Sequence, residues 1–206
     1  MSFLPYVFAA VIGYLLGCSS MALYLAKWKG VDMRAAGSGN LGASNAMVLM
    51  GWGAGVLVGL HDIGKAILAV LLAVWLCPGA AYIGAVAGVA CVLGHMFPFY
   101  LRFKGGKGFA SYLGMTIALN WKFALVVLVI VVLVTLITDY IVVGTVSTIV
   151  LVPAYMSIVN RSLILLAILC IATGAILYKH RENYRRILDG TEIGLRKAHR
   201  GDHRQV

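Results

Sequence analysis

Three short polar stretches hold most of the residues whose chemistry could matter in this chain. The first is GSGNLGASN, Gly37 to Asn45. Glycine lets backbone approach a ligand closely, and consecutive N–H groups in turn conformations form an anion nest. The Ser38 hydroxyl and Asn40 amide add uncharged donors between Gly37 and Gly39. A helix starting just after them would bring its positive dipole end. The plainer reading is a flexible loop with Ser44 or Asn45 as a helix cap. The second stretch, Lys104-Gly105-Gly106-Lys107-Gly108, precedes an apolar run. It shares the glycine-plus-lysine logic of phosphate loops but lacks the GxxxxGK[ST] spacing, so it is no nucleotide motif. Lys107, framed by glycines that leave room for an anion, is a better ligand than Lys104, which serves as loop charge. The third is KHREN, Lys179 to Asn183. His180 and Asn183 are three apart and share one face if the preceding helix continues. Histidine serves as acid, base or neutral donor near neutral pH, although a lone histidine at such a position is usually just solvated.

Asp62 and Lys65 are the sharpest anomaly, because they lie inside a long apolar run with His61 beside them. Ionisable residues inside a membrane span are expensive and point to function. Their i, i+3 spacing lets each neutralise the other, so a structural ion pair bracing the site is favoured over a proton relay. His95, in GHMFP before Pro98, fits a supporting hydrogen bond at least as well as chemistry. No GxSxG elbow, HxxxxD, HExxH or paired-carboxylate cluster occurs. Glycine loops, amides, a lysine and a histidine suit the positioning of phosphates better than hydrolysis by an activated serine or a metal.

These residues must be positioned by elements that live in lipid. Of 206 residues, 62% are hydrophobic and only 12% charged, with a mean hydropathy of +0.95, where soluble chains are about a quarter charged. The start has no basic region of the kind that opens a cleaved signal peptide. A crossing helix needs about 20 apolar residues. Seven segments are candidates: Tyr6–Ala26, Ala54–Leu76, Ala80–Phe97, Phe109–Leu119, Phe123–Ile137, Ile141–Ile158 and Leu163–Tyr178. The fourth is too short for an ordinary span and is expected to be tilted or buried as a half-span. Placing the C-terminus inside puts fourteen of the 17 Lys/Arg on the inner side, with Lys122 and Arg161 outside and Lys65 within a span. The positive-inside rule thus favours N-terminus outside and C-terminus cytoplasmic, and all three polar stretches then share the cytoplasmic side and look like one site. The expected architecture is an all-α integral membrane protein, a seven-transmembrane-helix bundle with one domain over 1–192 and a basic cytoplasmic tail over 193–206. The net charge of +10 does not indicate nucleic acid, because eight cations lie between Lys179 and Arg204, beside anionic lipid. Cys18, Cys77, Cys91 and Cys170 lie apart in apolar runs and read as small, buried and inert.

Taken together, GSGNLGASN, the Asp62–Lys65 pair, GHMFPFYLRFKGGKGFASYLG, and KHREN followed by GTE resemble the bacterial acyl-phosphate:glycerol-3-phosphate acyltransferases, the PlsY family. The match runs in order to about Glu192. The resemblance implies a seven-span, multi-pass protein of the bacterial cytoplasmic membrane with a cytoplasmic active site. It also implies transfer of a fatty acyl group from acyl phosphate to the 1-hydroxyl of glycerol 3-phosphate. The products are lysophosphatidic acid and phosphate, for phospholipid biosynthesis. His180, Asn183, Lys107 and Ser38 are then the catalytic set. Gly37, Ser38, Gly39, Asn40, Asn45, Gly105, Gly106, Lys107 and Gly108 hold phosphate, Asp62 and Lys65 form the structural pair, and His95 supports them. No metal or cofactor is implied, and a monomer in the bilayer is expected. The family usually has GATN followed three residues later by arginine, where this chain has GASN followed by Val48. It usually has TRYVSLGS where this chain has TDYIVVGT, with Asp139, Val142 and Thr145 as the exchanges, and Gly64 replaces a larger apolar residue. These exchanges keep open a divergent non-catalytic or transport paralogue that binds a lipid phosphate or anion. An ion-coupled transporter using Asp62 and Lys65 lacks the expected inverted repeat.

Overall fold

The computed structural model describes residues 3–192, 194 and 196; the rest of the predicted 193–206 tail lies outside the described residues. Nine α-helices and one 3₁₀ turn make up the regular structure among them: α1 (Leu4–Cys18), α2 (Met21–Lys29), α3 (Ala43–Met50), α4 (Trp52–Leu76), α5 (Ile83–Met96), the 3₁₀ turn Phe99–Leu101, α6 (Phe109–Leu119), α7 (Trp121–Thr138), α8 (Ile141–Val159) and α9 (Leu163–Leu188). Among the described residues, six helical stretches are long and apolar enough to cross a membrane, α1 and α2 counting as one from Leu4 to Lys29. α6, with 11 residues, extends about 16 Å, roughly half the hydrocarbon thickness. The chain divides into two compact units, Met1–Asn120 and Trp121–Val206.

In the first unit α1 packs on α5 backbone to backbone. A Cβ at Gly13 or Gly17 would run into the Ala87 or Cys91 carbonyl of α5, and one at Gly94 into Tyr14 of α1. Small residues four apart let helices approach in this way where lipid removes the hydrophobic drive between them. The short α6 is held similarly, with Gly114 against the Ile63 backbone of α4 and Tyr112 and Met115 buried. The segment expected to run unbroken from Tyr6 to Ala26 is interrupted at Ser19–Ser20. Ser20 caps α2 by accepting the Leu23 N–H at 3.4 Å, and the break leaves carbonyls at the end of α1 without helical donors. Tyr100 Oη donates to Cys18 O at 2.6 Å and Lys65 Nζ to Ser19 O at 2.7 Å, so the break is filled from two other elements.

The second unit is a three-helix assembly. α7 carries exposed Leu125, Val126, Val129, Val132, Leu133 and Leu136, as a lipid-facing helix should. Pro153 lies inside α8 and cannot donate to Ile149 O four residues back. Thr173 Oγ1 of α9 takes that place at 2.8 Å. Ser162 caps α9 through the Leu165 N–H at 3.1 Å. This helix continues ten residues past the expected end at Tyr178, to Leu188, so His180 and Asn183 do lie on one continuous helix. The four cysteines are free; Cys18 and Cys91 are buried as expected, whereas Cys77 is half-buried and Cys170 exposed.

Candidate functional site

Residues 31–42 form the first loop, and Asn45 closes it from behind. The Asp32 carboxylate accepts the N–H groups of Arg34 and Ala35 at 2.8 and 3.2 Å, turning the chain back. Asn45 is only 3% exposed. Its Nδ2 donates to Met33 O and Asn40 O, both at 3.0 Å, with Ala36 O at 3.4 Å, and its Oδ1 accepts the Ser38 N–H at 3.0 Å. Gly37 has φ of 59° and faces this amide so closely that a Cβ would strike Asn45 Oδ1; no other residue combines that angle with that space. Neither Ser44 nor Asn45 is a cap: both lie within α3, whose N-cap is Gly42. The Gly39 N–H bonds Ala36 O at 3.2 Å. The expected nest of outward backbone donors is therefore corrected, since the Ser38 and Gly39 N–H groups are engaged within the loop. The Ser38 side chain is exposed and Asn40 half-buried.

The second loop is pinned to the end of α5. Gly105 N–H donates to Met96 O at 3.0 Å and Gly106 N–H to His95 O at 3.1 Å. A Cβ at Gly105 would meet His95 O and Pro98, and one at Gly106 the His95 imidazole. The glycines thus serve close packing against α5, and Lys107 follows directly, half-buried before Gly108, the N-cap of α6. Arg34 Nη2 donates to Lys104 O at 2.7 Å, tying the two loops together.

Behind them lies the buried network. Lys65 Nζ contacts Asp62 Oδ1 at 2.7 Å, Ser19 O at 2.7 Å and His95 Nδ1 at 2.9 Å. Three acceptors match the three protons of an ammonium. His95 Nδ1 is then an acceptor and its proton sits on Nε2, on the ring edge facing Gly106. His61 Nε2 lies 3.0 Å from Ser19 Oγ and its Nδ1 3.5 Å from Asp62 Oδ1, so α1, α4 and α5 meet at one charge pair.

In the second unit, the end of α9 buries His180 and Asn183. His180 Nδ1–H donates to Ile176 O at 2.9 Å, which in the neutral ring puts the basic lone pair on Nε2. Asn183 Nδ2 donates to Glu192 Oε1 at 2.6 Å, and Arg186 Nε to Glu192 Oε2 at 2.6 Å. The sequence shows Glu192 within GTE but suggests no role for it. The available signal is Gly190, whose φ of 69° marks a helix end that folds back. The N–H groups of Thr191 and Glu192 both return to Arg186 O, at 2.8 and 3.0 Å.

Known proteins align with this arrangement over nearly its whole length. The family model described as glycerol-3-phosphate acyltransferase matches residues 7–190. The chain belongs to that family. It is 36% identical over 200 residues to glycerol-3-phosphate acyltransferase 1 of Oceanobacillus iheyensis, covering 92% of this chain and 95% of the relative. It is 37% identical to the Clostridioides difficile glycerol-3-phosphate acyltransferase, covering 96% and 100%. The crystal structure of PlsY (YgiH), an integral membrane glycerol 3-phosphate acyltransferase, in its glycerol 3-phosphate form superposes with a TM-score of 0.85 at 33% identity, covering 92% of this chain and 95% of that one. The lysophosphatidic acid form gives 0.83 at 32%. The fold is thus the all-helical integral membrane fold of PlsY. Within this glycerol-3-phosphate acyltransferase family member, the exchanged residues occupy definite places. Val48 is 59% exposed on α3, Val142 and Thr145 are buried in α8, and Asp139 takes φ of 68° in the α7–α8 turn. Nothing lies near Gly64 that a Cβ would touch.

Proposed function

We propose that this chain is a membrane acyltransferase of phospholipid synthesis. It moves a fatty acyl group from acyl phosphate to the 1-hydroxyl of glycerol 3-phosphate and releases lysophosphatidic acid and phosphate. The observation that carries this reading is the family match across residues 7–190. It is supported by the crystal form of a 33% identical PlsY that is named for glycerol 3-phosphate.

The mechanism follows from the donor. An acyl phosphate is a mixed anhydride, already activated, so no covalent enzyme intermediate is required. The substrate hydroxyl oxygen bonds to the acyl carbon as the acyl C–O bond to phosphate breaks, and phosphate departs with that electron pair. The hydroxyl proton passes to His180, whose ring is oriented by the Nδ1 bond to Ile176 O. Asn183, oriented by Glu192, aligns the substrate, while Lys107 and Ser38 offset phosphate charge. Gly37, Gly39 and Asn40 shape the first phosphate loop, with Asn45 holding it from behind; Gly105, Gly106 and Gly108 shape the second. Asp62, Lys65 and His95 brace that second loop.

The reading extends to seven crossings, the short α6 counted among them, with N-terminus outside and C-terminus cytoplasmic, in the bacterial plasma membrane. It takes residues 1–192 as one domain with a basic tail, working as a monomer without metal or cofactor. The test is purified protein in lipid, given palmitoyl phosphate and glycerol 3-phosphate, with phosphate release followed. Turnover is expected, and Lys107→Ala and Asn183→Ala should each abolish most of it. No turnover, with Val48→Arg restoring none, would overturn the enzyme reading; full turnover in Lys107→Ala would overturn the site.

A further inference from the structure

Beyond the end of α9 the chain carries two carboxylate clasps, both inside the second unit. At the first, Glu192 receives Asn183 and Arg186 of α9, each at 2.6 Å. At the second the polarity is reversed. Asp139 Oδ1, in the α7–α8 turn, accepts the Arg196 backbone N–H at 2.9 Å, with the guanidinium Nε 3.8 Å from the same oxygen. Arg196 Nη2 donates to Leu136 O at 3.1 Å, one of the carbonyls that the end of α7 leaves without a helical donor. Gly194 passes so near that a Cβ there would strike the Asp139 carboxylate. A backbone donor, a guanidinium charge and a contact that admits only glycine all converge on one carboxylate. Gly194 and Arg196 are seated there.

We propose that Asp139 is a positioning residue for Asn183: it anchors Gly194 and Arg196, and that anchorage in turn holds Glu192 against the Asn183 amide. Only three residues lie between Glu192 and Arg196, a reach of at most about 14 Å over four Cα steps, so freedom at one clasp is felt at the other. The Arg196 side chain is 70% exposed, and an ion pair with so solvated a partner contributes little to global stability. Losing Asp139 is therefore expected to leave the fold intact and to change where the amide points. A misplacement of about 1 Å in a reacting geometry costs up to roughly a hundredfold in rate.

This inference deepens the acyltransferase reading, and its kinetic arm rests on that reading. Full-length protein in lipid would be compared as wild type, Asp139→Ala, Asp139→Asn, Asn183→Ala and the Asp139→Ala/Asn183→Ala double variant. Asp139→Ala is expected to lower kcat/KM roughly tenfold while the thermal unfolding midpoint falls only by the strain of alanine at a φ of 68°, and Asp139→Asn, which keeps an acceptor for the Arg196 N–H and suits that φ, to recover most of the loss. In the double variant Asp139→Ala should add nothing to Asn183→Ala. Losses that multiply would assign Asp139 a merely structural role and overturn the proposal. Hydrogen exchange supplies an arm independent of activity: the peptide containing residue 196 should exchange faster in Asp139→Ala. Unchanged exchange overturns the seating. A wild type that shows this exchange difference but no turnover would sink the acyltransferase reading and the assigned role of Asn183, while the seating at Asp139 stands.

Discussion

The ammonium of Lys65 meets the imidazole of His95 at 2.9 Å, and the far edge of that ring fills the space that a side chain at Gly106 would need. A charge inside a span is thereby connected, through one histidine, to the backbone that carries Lys107. The pair costs desolvation energy, but it fixes the ring that fixes the loop.

Removing one partner of that pair leaves the other buried without compensation. Asp62→Leu or Lys65→Met alone should destabilise the protein by about 3–5 kcal/mol, seen as a large fall in the thermal unfolding midpoint in detergent. The double variant Asp62→Leu/Lys65→Met should recover part of this, since no charge is then left unpaired although Ser19 O and His95 Nδ1 lose their donor. A double variant as unstable as the sum of the singles would contradict the pairing.

Gly106→Ala tests the link from ring to loop. The new methyl must displace the His95 imidazole and with it the bond to Lys65. Activity is expected to fall roughly a hundredfold, the scale of a misplaced catalytic group. The fall should appear mainly in KM for glycerol 3-phosphate, because Lys107 is proposed to bind phosphate. Gly30→Ala, at a helix end with open space around it, should cost stability without that KM change.

Val48→Arg should raise affinity. Val48 is exposed on α3, where the family usually has arginine, so a guanidinium is accommodated without repacking. A hydrogen bond to a charged group contributes about 1.5–3 kcal/mol, or at least tenfold in KM for glycerol 3-phosphate, measured by phosphate release. An unchanged KM would show that this loop binds its anion without help from α3.

The proline in α8 gives a test of packing. Thr173→Val removes the donor to Ile149 O and should cost about 0.5–1.5 kcal/mol, the net contribution of one hydrogen bond. In a Pro153→Ala background the same change should cost less, because the substituted residue brings a backbone N–H four residues from that carbonyl. Unfolding midpoints of the four proteins form the cycle.

How much of this is legible in the sequence varies with how local the cause is. The short α6 can be read to its ends, Phe109 and Leu119, because length against bilayer thickness is a one-dimensional property. The Asp62–Lys65 contact follows from i, i+3 spacing, but its other partners, Ser19 O and His95 Nδ1, come from 46 and 30 residues away and leave no pattern. α3 is legible only as a helix start, because its eight residues, ASNAMVLM, are too few to show a helical period after a glycine-rich run. The break at Ser19–Ser20 is hidden because apolar residues flank it on both sides. Asn45 reads as a ligand or a cap, whereas its four backbone partners show an amide that replaces missing backbone pairing; composition is the same either way. Glu192 gains its role only when the chain folds back on α9.

The break between α1 and α2 also bears on how the protein is made. Helices that enter a bilayer must bring their backbone polar groups already paired, yet Cys18 O and Ser19 O receive their donors from Tyr100 and Lys65, which leave the ribosome long after α1. The first span therefore enters the membrane incomplete and is finished by later arrivals. Chains arrested before Lys65 should hold α1 loosely, with the Cys18 thiol open to water-borne maleimide, and chains arrested well beyond Tyr100 should close it. The N-terminal span would then be first to be synthesised and last to be completed.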